Sequence, residues 1–410
     1  MGTSASHFPM GFLSIAARSR VPSPTPPTGD YFYVATTGND ANPGTFTSPK
    51  LTIQAGVALL SDGDTLYIRS GTYTGSLNVI DSSLYSVASG SSFASPVTIS
   101  AYPSETVTLQ PPDGQQAIRL TTGSPHYIII PDLILDGINQ TLVPNMGGPE
   151  LVYLSTSAHH NRFQGLEVKN NSGNGFQISN NDGSADYNEI LDCIIHDNGR
   201  LNDTNTGYGI YLKANYTLIQ GNQIYSNNGY GIHHNPGAAG GDYNIIVANI
   251  LHDNAVHGVN TGNGTTSHAI LIAKGTGNLI YNNQVYENQA GISVYSNSLD
   301  AGVYNNTVVD NINEGISLQY YGNAPTIQNN ISYGNGTDII DYGGTGTPVI
   351  DYNLTASDPL FVNGAAFNYH LTSPSPARDA GTTIAVVTTD FDGVSRPQGS
   401  AYCIGAFEFV

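Results

Sequence analysis

Lys213 closes the pentapeptide GIYLK (209–213) and His233 is the centre of GIHHN (231–235), two short runs that begin alike and carry different ionisable side chains. Either is a candidate general base, with Tyr211 as proton donor and Arg200 or Lys274 as the cation that offsets developing charge. Base, donor and cation are what removing a proton from carbon beside a carboxyl group requires. Asn235, His257, His268, Lys274 and Tyr295 are spaced to line the same place and bind what is held there. A second chemistry, hydrolysis by paired carboxylates, would draw on Asp197, Asp253 and Glu287. The identity of any metal is unknown from these residues.

Such scattered residues meet only if the elements carrying them fold back in register. Seven eleven-residue segments align without gaps: NRFQGLEVKNN from Asn161, NEILDCIIHDN from Asn188, TLIQGNQIYSN from Thr217, NIIVANILHDN from Asn244, NLIYNNQVYEN from Asn278, AGVYNNTVVDN from Ala301 and PTIQNNISYGN from Pro325. Each ends in Asn (Asn171, Asn198, Asn227, Asn254, Asn288, Asn311, Asn335), at spacings of 27, 29, 27, 34, 23 and 24 residues. A second Asn column stands at the sixth position, in Asn222, Asn249, Asn283, Asn306 and Asn330, where Cys193 fills an earlier place. Short apolar runs separated by polar residues and bounded by Gly and Asn are strands. A unit this small buries its apolar side only by stacking on its neighbours. The pattern predicts an all-β solenoid whose parallel strands lie about 4.8 Å apart, with Asn side chains bonded along the axis.

Alternation directs Ile210, Leu212, Ile232, Ile270, Ile272, Ile292 and Val294 inward, with His234 among them. Tyr211, Lys213, His233, Asn235, Leu271, Ala273, Ser293 and Tyr295 then face outward. Two long turns, Gly199–Tyr208 and Ala255–His268, would rise as walls beside the short third repeat, Arg200 on one and His257 and His268 on the other. Asp253 and Glu287, on adjacent coils, would lie about 5 Å apart, and Asp197 and Asp253, two coils apart, about twice that.

These segments resemble the right-handed parallel β-helix repeats of the pectin-lyase-like superfamily. The stretch from Tyr31 to Tyr73 resembles the opening of many secreted bacterial β-helix proteins. DPLFVNG, SPARDAG, DFDGVSRP and IGAFEF, between Asp358 and Phe409, resemble the C-terminal signature of the same group. The resemblance implies a right-handed parallel β-helix with a short N-terminal capping helix and an irregular C-terminal cap. It also implies an extracellular protein that meets polysaccharide. A polysaccharide lyase acting on a uronate polymer, or a related C5-epimerase, would use Lys213 or His233. A glycoside hydrolase would use the carboxylates, and a non-catalytic carbohydrate binder would use Tyr225, Tyr286 and Tyr333. The lyase is preferred because the expected groove collects Lys, His, Tyr and Arg. The sequence departs from the family in lacking the Asp cluster that holds calcium in pectate lyases, where GYGIYLK has Tyr, and in lacking an epimerase-like Tyr-Asp-Pro-His. No cofactor is assigned with certainty from these residues, and calcium stays open as a bridge to an acidic polymer.

Composition narrows the partners. In 410 residues, 12 Lys and Arg face 31 Asp and Glu, and a net charge of −19 excludes a nucleic-acid partner. No apolar run is long enough for a membrane span, and Cys193 and Cys403 cannot build a disulfide framework or a four-ligand zinc site. Residues 1–30, with VPSPTPPTG, read as a Pro-rich linker, and the apolar Phe8–Ala17 has no basic residue before it and makes a poor signal peptide. Residues 31–410 read as one β-helix domain and a monomer, with an N-terminal cap over 31–75, coils over 76–355 and a C-terminal cap over 356–410 lying across the far end. Ser48 as N-cap with Pro49 behind it predicts the capping helix.

Overall fold

The computed structural model describes residues 29–141, 149–155, 157–179, 185–200, 207–237, 240–256 and 267–410. Their strands form three long parallel sheets wound into a right-handed β-helix. The first has twelve strands, from Tyr31–Val34 to Val349–Asp351. The second has ten, from Ile80–Asp81 to Thr337–Asp341, and the third ten, from Gly71–Thr74 to Ile331–Tyr333. Repeats pair residue for residue, so Ile190, Ile219, Ile246 and Ile280 form one column of the first sheet. Those side chains, and every apolar residue assigned inward above, are buried in one continuous core.

Two bends per segment close each coil. At the fifth position Gly165, Asp192, Gly221, Ala248, Asn282, Asn305 and Asn329 all have φ between 50° and 72°. At the tenth, Asn170, Asp197, Ser226, Asp253, Glu287, Asp310 and Gly334 have φ between 51° and 74°. Left-handed backbone favours Gly, Asn and Asp, which is why these two positions read as polar breaks between apolar runs. Each tenth-position bend, and each fifth-position bend from Gly221 onward, delivers the next Asn inward to its ladder. The amide of Asn227 donates to Asn254 Oδ1 at 3.3 Å, Asn254 to Asn288 at 3.0 Å and Asn288 to Asn311 at 3.0 Å. The sixth-position ladder runs the same way from Cys193 through Asn222 to Asn353. A third ladder starts the segments, linking Asn161 to Asn188 and Asn244 to Asn278.

The ends differ from expectation. The N-terminal helix is Ile53–Val57, capped by Thr52, whose Oγ1 accepts from Ala55 N at 3.2 Å. Ser48 is not the cap, because Asp40 Oδ1 takes the amides of Leu51 and Thr52, each at 2.9 Å, and holds residues 49–51 in a loop. The C-terminal segment runs along the flank of the last coils. Asn282, Asn305 and Asn329 donate from successive fifth positions to the carbonyls of Thr389, Cys403 and Thr382. Tyr369, Leu371, Phe391 and Phe407 pack on Tyr286, Val309 and Ile331. Val349 and Ile350 on the last strand of the first sheet remain exposed. No helix of the described residues is long and apolar enough to cross a membrane.

Candidate functional site

The outward column of the second sheet runs Arg119, Tyr153, Gln177, Tyr211, His233, Leu271, Ser293 and Ser317 across eight consecutive strands. Outward does not mean open here. Tyr211 and Tyr230 sandwich the His233 ring at centroid distances of 4.9 and 4.4 Å, and Tyr208 meets it edge-on at 4.7 Å. His233 is left 9% exposed, with Nδ1 buried and without a hydrogen-bond partner. Burial, then the charges His234, Lys213 and His268 would carry, lowers its pKa to about 3. Its imidazole is therefore neutral at neutral pH and a weak base. His234 is inward and fully buried beside Asn244, and burial lowers its pKa to about 4.

Lys213 follows the strand Ile210–Leu212 and is half-buried. Its Nζ lies 4.6 Å from the centre of the Tyr211 ring, a cation–π contact that holds the amine against the phenol and itself favours the charged form. Burial lowers the Lys213 pKa, opposed by the carboxylate of Glu150, and burial raises that of Tyr211. A lysine easier to deprotonate thus stands against a phenol that keeps its proton. Asn235 and Tyr295 are half-buried on the same sheet, and His268 is buried, with Nε2 at 3.4 Å from Ser317 Oγ. His257 and most of the two predicted walls, residues 201–206 and 257–266, lie outside the described residues.

Both predicted neutralising cations are occupied elsewhere. Arg200 sits where the chain enters the second-sheet strands, at the opposite end from Lys213. It donates from Nε to Asn170 O at 2.6 Å and from Nη2 to Ile138 O at 2.7 Å and Gln140 O at 2.9 Å. Lys274 Nζ donates to Gly237 O at 2.7 Å. Peptide carbonyls of the bends claim both charges, a competition that residue type alone does not reveal.

The carboxylates form a separate feature. Asp197, Asp253 and Glu287 are the left-handed tenth-position residues, beside a stack of His196, Tyr225, His252 and Tyr286 with centroids 4.8, 4.9 and 5.1 Å apart. Asp197 Oδ2 lies 2.6 Å from His196 Nδ1, and Asp253 Oδ2 2.7 Å from His252 Nδ1. Asp197 and Asp253 line one hollow with Arg200, Ser226 and Asn228. Burial, then the negative charges of Asp253 and Asp310, raises the pKa of Glu287. Among the described residues no group of three or more His, Cys, Asp or Glu side chains is arranged to hold a metal ion.

Two residues on the second-sheet face lie upstream of the aligned repeats. Arg119 is the centre of the strand Ile118–Leu120, and half-buried Glu150 precedes Val152–Leu154. Burial raises the Glu150 pKa, while Gln116, Arg119 and Lys213 lower it. The alternation in IRL was the available signal, but without an aligned segment nothing connected it to GIYLK.

The Pel9A-like right-handed β-helix region matches residues 32–207, and a second right-handed β-helix region matches 147–269. Together with the three-sheet coil, these matches agree on a right-handed parallel β-helix fold. Pectate lyase PEL9 of Emericella nidulans is 26% identical over 172 residues, 39% of this chain and 37% of that protein, so the match spans little more than a third of the relative's length. The crystal structure of pectate lyase Pel9A superposes with a TM-score of 0.63 at 17% identity, covering 93% of this chain and 96% of that one. A GH136 lacto-N-biosidase from Eubacterium ramulus gives 0.58 at 13% identity over 80% and 68% of the two chains. These structural likenesses concern the fold.

Proposed function

We propose that this is a carbohydrate-active β-helix protein that cleaves a uronate-containing polysaccharide by β-elimination, with Lys213 as the base. The observation carrying the reading is the half-buried Lys213 amine against the Tyr211 ring, eased toward its neutral form by burial. The neutral amine takes the proton from C5 of a uronate. That electron pair forms the C4=C5 double bond, the C4–O4 bond breaks, and the leaving oxygen takes a proton from Tyr211 or water. A C5-epimerase would share the first half of this sequence. The likeness to pectate lyases supports the substrate class.

The test is a polysaccharide panel read for the absorbance of an unsaturated uronate and, in parallel, for reducing ends. Both signals are expected, and Lys213→Ala should lower the rate by about 10²–10⁴-fold. Reducing ends without absorbance would instead favour the second reading, hydrolysis, for which Asp197 and Asp253 are brought to one hollow. They stand two strands apart, about 10 Å, near the separation of inverting pairs. Binding without either signal would leave a carbohydrate-binding protein.

A further inference from the structure

Arg119 stands in the same outward column as Tyr211, three strands before it through Tyr153 and Gln177. Its guanidinium lies 5.5 Å from the centre of the Tyr153 ring, and Nη1 donates a long 3.5 Å bond to Gln116 Oε1. Nε is buried and has no hydrogen-bond partner. A buried N–H of a charged group left unmet is costly, and in a groove an arriving ligand can meet it. The Glu150 carboxylate feels the charges of both Arg119 and Lys213, which places all three in one neighbourhood without satisfying Arg119 Nε. The planar guanidinium fork fits a carboxylate through two parallel bonds.

We infer that Arg119 heads a carboxylate-binding subsite for an acidic polysaccharide, gripping a uronate several units away from the sugar that reacts at Lys213. The inference rests on reading this sheet face as a uronate groove. A chain laid along the coil axis crosses one strand about every 4.8 Å, close to the length of one sugar in an extended polymer. Reaching from Tyr211 to Arg119 therefore takes about four units. Arg119 selects for length and for free carboxylates, and contact with a remote unit helps hold the reacting one in place. Glu150 competes with the substrate for the same guanidinium.

The experiment measures equilibrium binding of dimers and hexamers of galacturonate, guluronate and glucuronate to the Lys213→Ala protein, which removes turnover. At least one hexamer is expected to bind. Adding Arg119→Gln should weaken it about tenfold or more, leave the matching dimer unchanged, and be partly rescued by Arg119→Lys. Adding Glu150→Gln should tighten it. Equal hexamer affinity with and without Arg119, an equal loss for dimer and hexamer, or no hexamer binding at all would overturn the subsite. A hexamer held through Arg119 that the wild-type protein never converts to unsaturated product keeps the subsite and removes the lyase reading.

Discussion

Burial pushes the two basic candidates of the second-sheet face, Lys213 and His233, the same way in pKa and to opposite ends in usefulness. For Lys213 it makes the neutral amine easier to form than in free lysine, so the rate of the proposed elimination should climb with pH and level off below pH 10.5. For His233 it leaves a ring neutral down to about pH 3. His233 and His234 are both depressed below their ordinary 6.5, to about 3 and about 4. The stability each contributes is present above 6.5 and drains away as pH falls toward the folded value. The Tm should therefore fall steadily between about pH 6.5 and 4. His234→Leu, which fills the inward place without a titrating ring, should flatten that fall; an unchanged slope would mean that other groups govern it. Alternation correctly separated His233 from His234 by direction. It could not show that Tyr208 and Tyr230, outside the strands, would close over the outward ring.

The bends carry most of what the repeat spells at the scale of the element. Of the seven fifth positions, six are Gly, Asn or Asp, residues that tolerate left-handed backbone, and Ala248 at φ 53° is the exception. Its methyl touches the side cluster formed with the C-terminal segment, which recovers less than the roughly 0.8 kcal/mol of a fully buried carbon. The strain of a Cβ there is about 1–2 kcal/mol. Lost packing and the extra freedom of Gly in the unfolded chain, about 0.4–1 kcal/mol, nearly offset that relief, so Ala248→Gly should shift the Tm by no more than about 1 °C. Ala248→Val should lower the Tm, since a branched side chain is a poor occupant of that conformation. A calorimetric series with the opposite order would show that packing, and not backbone conformation, decides this position. The Asn ladders were legible because identical residues recur at a fixed offset. The Ser48 cap was misplaced because Asp40, eleven and twelve residues before Leu51 and Thr52, claims the amides that a helix begun at Pro49 would have used.

Across the whole molecule, the C-terminal segment ties the last coils together from outside, and its grip explains a change in the repeat. Fifth positions are Gly, Asp, Gly and Ala early in the series and Asn in the final three, where the side chains hold the segment's carbonyls. That switch was visible in the sequence, but its partner was not, because the segment has no period to align. Its anchor is the ion pair of Arg396 Nη1 and Glu408 Oε1 at 2.5 Å, fully buried, with Arg396 Nη2 also 3.3 Å from Asn282 Oδ1. Glu408 in turn accepts from the amides of Cys403 at 2.9 Å and Gln398 at 3.1 Å. Arg396→Met strands the carboxylate in the interior and should cost about 3–5 kcal/mol. Pairing it with Glu408→Leu removes the stranded charge but frees two amides, so the double variant should recover part of that loss while remaining below the wild type. The segment docks on coils that also carry Ser293, Tyr295 and Ser317 of the outward face, so its loosening should reach that end of the second sheet. Thermal melts of the three proteins, with protease sensitivity followed beyond residue 356, separate the outcomes. A single variant that melts like the wild type would mean that the apolar contacts around Tyr286 and Ile331 hold the segment in place without the ion pair.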